Sequence, residues 1–118
     1  MSDKISVAAQ ISLEYWVGQD VAGVVYENMP VDPVYTNELA LAIRSDDGDG
    51  DPRRPVTLGR PQVHLAGTSR ALEELGRYLI GLARLQTLDP DVHDHFEDVQ
   101  NEDGGTVHLV IRLVKPPG

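Results

Sequence analysis

From about residue 69 to residue 86, the chain alternates apolar and polar positions with helical spacing. Leu72, Leu75, Leu79, Leu82 and Ala83 fall on one stripe that runs on to Gln86, widened by Ala71, Tyr78 and Leu85. Arg70, Glu73, Glu74, Arg77 and Arg84 occupy the opposite side, where Glu73 can pair with Arg77 one turn on. Thr68 or Ser69 can cap this helix, and Pro90 keeps it from continuing. Gly76 and Gly81 weaken the helix unless they allow a sheet to approach closely.

Elsewhere the period is two. Val107, Leu109, Ile111 and Leu113 alternate with His108, Val110, Arg112 and Val114, which predicts a C-terminal strand. Asn101-Glu102-Asp103-Gly104-Gly105 reads as a turn, so Val92 to Val99 is the expected antiparallel partner. Leu39 to Ile43 and Val63 to Leu65 read as a second pair. Ile5, Val7, Ala9, Ile11 and Leu13 also alternate, and Val21 to Tyr26 is a further β-prone run containing Gly23. Together these predict one α+β domain over 1–118: a mostly antiparallel sheet of about five or six strands, with one main helix (about 69–86) packed on one face. One helix cannot cover both faces of such a sheet.

With 118 residues, 41% hydrophobic and 25% charged, the chain has the size and balance of a single folded domain. It has no cysteine, which excludes disulfides and thiolate metal sites. The start lacks the pattern of a signal peptide and no run is long enough to cross a membrane, so a cytoplasmic location is expected.

Charge changes the picture more. The net charge is −9, from 19 acids against 10 bases. Such a surface repels nucleic-acid phosphates and attracts basic proteins. Two segments hold 11 of the 19 acids. The first contains Asp46, Asp47, Asp49 and Asp51. The second contains Asp89, Asp91, Asp94, Glu97, Asp98, Glu102 and Asp103, with neither Lys nor Arg among them.

Candidate chemistry is sparse. Asp47, Asp49 and Asp51 open like a calcium loop, but Pro52 and Leu58 stand where that loop needs a glycine and a bidentate glutamate. A solvated acidic loop, partly neutralised by Arg53, Arg54 and Arg60, is expected instead. On a strand His93 and His95 share one face while Asp94 points to the other. With His64 or His108 they have the residue types of an imidazole metal site or a general base, but no nucleophile has a recognisable context. No catalytic residue, metal or cofactor is expected. Trp16, beside Tyr15 in a chain with 5% aromatics, is expected in the core.

The stretch from Val63 to Leu75, a strand entering a leucine-striped helix through Gly67-Thr68-Ser69, is followed by His93-Asp94-His95-Phe96 and then by Val107-His108-Leu109-Val110-Ile111. Over roughly residues 61–115 this resembles the Imm32-type immunity proteins of bacterial polymorphic toxin systems. The resemblance implies a cytoplasmic non-enzyme that neutralises a cognate toxin by binding it. The expected partner is a protein with a basic surface, with no nucleic acid and no membrane involved. The contact residues expected are Asp89, Asp91, His93, Asp94, His95, Glu97, Asp98, Glu102 and Asp103. The alternatives are a phage-type acidic inhibitor mimicking nucleic acid, a His-based metal-dependent enzyme, and a subunit that pairs with its own copy through a sheet face or edge.

Overall fold

The computed structural model describes residues 3–45 and 60–114. The acidic loop Asp46, Asp47, Asp49 and Asp51, with Arg53 and Arg54, lies outside the described residues. The elements run β1 (Tyr15–Trp16), β2 (Gln19–Val21), β3 (Val24–Tyr26), β4 (Met29–Pro30), β5 (Leu39–Ser45), β6 (Pro61–Gly67), α1 (Ser69–Ala83), β7 (His93–Gln100) and β8 (Thr106–Arg112), with a short 3-10 turn at Thr36–Glu38.

The chain is α+β, as its two periodicities require. The main sheet, however, has four strands in the order β6-β5-β7-β8, and it is mixed. Two antiparallel hairpins, β5–β6 and β7–β8, meet at a seam where β5 runs parallel to β7, with Ala40 beside Gln100. The strands expected nearer the N-terminus do not extend this sheet. Val21 to Tyr26 folds back on itself as the β2–β3 ribbon, because Ala22 and Gly23 both take positive φ and make a tight reversal. β1 and β4 form a second ribbon. Ile5 to Leu13 alternates but pairs with no strand among the described residues.

The seam directs the helix. Gln100, the last residue of β7, lies beside Ala40 near the start of β5, so the two hairpins run in the same direction but are staggered, overlapping only at this seam. β6 ends beside Leu39, and α1 leaves from there over β7–β8. The Thr68 hydroxyl caps the helix by accepting from the Ala71 N–H at 3.2 Å. Ala71, Leu75, Tyr78 and Leu82 face inward and form the core with Leu39, Val92, Phe96 and Val99. Leu72 and Leu79 lie outside this set and are exposed, so the buried stripe is rotated towards Tyr78. Tyr78 meets Phe96 edge to face at 5.4 Å.

The helix ends at Ala83, three residues short of Gln86, and Glu27 holds the following loop by accepting from Thr87 and from the Leu88 N–H. Arg77 pairs with Glu74 rather than Glu73, and it also donates to the carbonyls of Val31 and Asp32. Of the two helical glycines, Gly81 faces a close neighbour: a Cβ there would lie 3.5 Å from Pro30. That neighbour is the β1–β4 ribbon and not the main sheet. Tyr15 fastens the ribbon by donating to the Gly81 carbonyl at 2.8 Å. Trp16, expected in the core, is 63% exposed, because on a ribbon strand it points opposite to Tyr15.

Candidate functional site

α1 covers one face of β7–β8 and leaves the other open. Alternation along β7 sends Asp94 and Phe96 towards the helix and His93, His95 and Glu97 to the open side, where His108, Val110 and Arg112 of β8 join them. His95 Nδ1 lies 2.8 Å from His108 Nε2, so one ring donates and the other accepts. The His93 and His95 rings meet edge to face with centroids 5.0 Å apart, and His95 and His108 stand at 4.9 Å. His93 donates through Nδ1 to the Asp91 carbonyl at 3.1 Å, which fixes that ring's orientation.

Three of the four histidines therefore gather on the open face. His64 does not join them. It sits on β6, on the far side of β5, and bonds Gln62 at 2.9 Å. Among the described residues no group of three or more His, Cys, Asp or Glu is arranged to hold a metal.

The acidic segment is less uniform than its sequence. Arginines from other strands reach two of its seven carboxylates: Arg112 of β8 pairs with Asp91, and Arg44 of β5 pairs with Glu102. Asp98, at the bulge where the β7–β8 register shifts, accepts from Thr36 at 2.6 Å. Asp89 accepts from the Asp91 N–H at 2.9 Å and shapes the entry to β7. Asp94 is turned under the helix, where it accepts from the Tyr78 hydroxyl at 2.5 Å. Burial and the neighbouring Asp94 and Asp32 carboxylates push the Tyr78 phenol far above its ordinary value. Burial also raises Asp32, with Asp94 adding to the effect and Arg77 opposing it. Asp94 is therefore a structural acceptor on the covered face and not part of the open one. Glu97 and Asp103 are exposed, and among the described residues nothing pairs with their carboxylates.

A second set of polar ties joins the turn before β5 to the start of α1. Glu38 accepts from Thr68 at 2.6 Å and from both donor atoms of the Arg70 fork. Those bonds, Arg70 first, hold the Glu38 carboxyl down at about 2. The Arg70 guanidinium also stacks 4.0 Å above the Tyr35 ring.

Charge counting along the chain misses Arg44, Arg112 and Tyr78. The turn at 101–105 pairs Gln100 with Thr106, a register that by itself would set Leu113 opposite His93; the bulge between Phe96 and Val99 shifts the ladder by one residue and brings Arg112 there. Compared with known protein families, curated proteins and solved structures, the chain matches none.

Proposed function

We propose that this chain is a non-enzymatic binding protein of the immunity kind, which neutralises a cognate toxin by covering a basic surface on it. The observation that carries the reading is the open face of β7–β8. There three imidazoles touch one another beside the uncompensated Glu97, and the acidic turn with Asp103 closes the same hairpin. The carboxylates supply steering and charge complementarity to a basic partner. His93, His95 and His108 supply flat rings with hydrogen-bonding edges, held in place by Asp91 and by each other. Asp89, Asp91, Asp98 and Glu102 frame the surface, and Asp91 and Glu102 also satisfy arginines of their own chain. No metal or cofactor enters this mechanism, and a cytoplasmic site of action fits a partner met before export.

The test is titration of the purified chain into the polypeptide encoded beside it. Stoichiometric binding that suppresses that polypeptide's toxic activity is expected, and Glu97→Lys with Asp103→Lys should weaken it at least tenfold. Absence of binding would remove the immunity reading, and unchanged affinity in the charge-reversed variant would remove the electrostatic mechanism.

A further inference from the structure

A second surface lies on the other hairpin, and a different part of the chain fits it. β6 is an edge strand, with no neighbour beyond it among the described residues. Because α1 runs off over β7–β8, the helix-side residues of β5–β6 are bare: Ile43 is 74% exposed, Val63 70% and Leu65 50%. Edge strands of soluble proteins are ordinarily protected by charged side chains, which discourage pairing with another chain. Pro61–Gly67 contains no Asp, Glu, Lys or Arg.

The N-terminal segment has the complementary properties. Ile5, Val7, Ala9, Ile11 and Leu13 alternate at the strand period, yet among the described residues they pair with no strand; Ala9 to Ser12 line an open cavity with Arg70, Arg77 and Ile80 of α1, while Ile5 is 85% and Val7 79% exposed. Residues 5–13 and 61–69 are also the two longest runs without an acid, lysine or arginine, nine residues each. In a chain of net charge −9, these stretches can meet across two molecules with the least repulsion.

We propose that the occupant of the β6 edge is the N-terminal segment of a second copy, added as an extra strand in reciprocal exchange to make a homodimer. Backbone groups of the added strand complete the β6 ladder, and its apolar side chains line up beside Val63 and Leu65 as cross-strand neighbours. A twofold exchange uses both copies' segments and both edges, so it closes at two chains. The histidine face of β7–β8 belongs to the other hairpin, and the acidic turn at Glu102 and Asp103 borders Ile43 and Val63.

Sedimentation of the full chain at high micromolar concentration should give the mass of two chains. Removing residues 1–13, or replacing Val63→Lys, should return it to one, with circular dichroism confirming the fold. The absence of cysteine allows a second measurement. Val7→Cys and Val63→Cys chains, mixed and oxidised, should yield a disulfide-linked heterodimer. The proposal is overturned by a single-chain mass at every concentration, or by a dimer that survives both changes. It is equally overturned if the mixed chains do not cross-link, or if a chain carrying both cysteines links only within itself.

Discussion

The two hairpins of the main sheet are built alike and treated differently by the rest of the chain. Each has one apolar side facing the direction from which a helix could pack. β7–β8 receives the helix, and Phe96 and Val99 are buried under it. β5–β6 does not, and Ile43 and Val63 stay in solvent. The cause is the stagger at the parallel contact of Ala40 and Gln100, which sets the hairpins one beyond the other along the strand direction, so that a helix running from the end of β6 over β7–β8 covers only one. Similar strand patterns thus give a rigid platform whose outer face can carry polar chemistry, and a bare edge suited to pairing.

Substitutions at matched positions should separate the two most sharply. Phe96→Ala should cost about 3–5 kcal/mol in urea unfolding, whereas Ile43→Ala, measured on dilute protein, should stay within about 0.5 kcal/mol. Equal losses would mean that the β5–β6 side is covered after all. Tyr78→Phe keeps the ring packed but leaves the half-buried Asp94 carboxylate without its donor, so about 1–3 kcal/mol should be lost by the same measurement.

The outer surface of the helix offers an opposite sign. A Cβ at Gly76 would meet nothing within 4 Å, so Gly76→Ala should raise stability by about 1 kcal/mol. Gly67, at the seam, behaves otherwise: a Cβ there would press on Leu39 at 2.8 Å. A loss on Gly67→Ala beside a gain on Gly76→Ala would locate the tight packing at the join of the two hairpins.

The smallest expected effect concerns the polar tie between the turn before β5 and the start of α1. Glu38 is held at about 2 against its ordinary 4.5, so its ionised form is favoured by folding. Its contribution is complete above 4.5 and is lost as pH falls towards 2. Acid unfolding followed by circular dichroism should therefore flatten over this window in Glu38→Gln. An unchanged profile would show that the Arg70 and Thr68 bonds add nothing to stability.

Much of the C-terminal half is legible from pattern because its signals are local. The Thr68 cap and the turn at 101–105 each act within a few residues and sit where the pattern places them; the helix forms there too, although its buried stripe runs through Ala71, Leu75, Tyr78 and Leu82 and leaves Leu72 and Leu79 exposed. What pattern cannot supply is the choice of partner between distant segments. Ile5 to Leu13 has the alternation of a strand, yet alternation does not say which edge receives it. Trp16 looks like a core anchor by type, but a two-residue ribbon strand sends Tyr15 inward instead. The acidic segment shows the same limit in its electrostatics. Its charge is plain in the sequence, while the arginines that answer it come from β5 and β8, 58 and 21 residues away. Alternation alone removes Asp94 from the open face, and it would remove Asp98 with it, because the bulge between Phe96 and Val99 is not visible in the pattern.

The central claim, that the open face of β7–β8 meets a basic protein, is tested most directly by affinity across salt. Binding of the neighbouring gene's polypeptide would be measured from about 0.05 M to about 0.5 M salt, for the native chain, for Glu97→Lys with Asp103→Lys, and for Val63→Lys. A steep fall with salt is expected for the native chain and for Val63→Lys, with a weaker and flatter response in the charge-reversed hairpin. Affinity indifferent to salt, or lost through Val63 and untouched by Glu97 and Asp103, would contradict it.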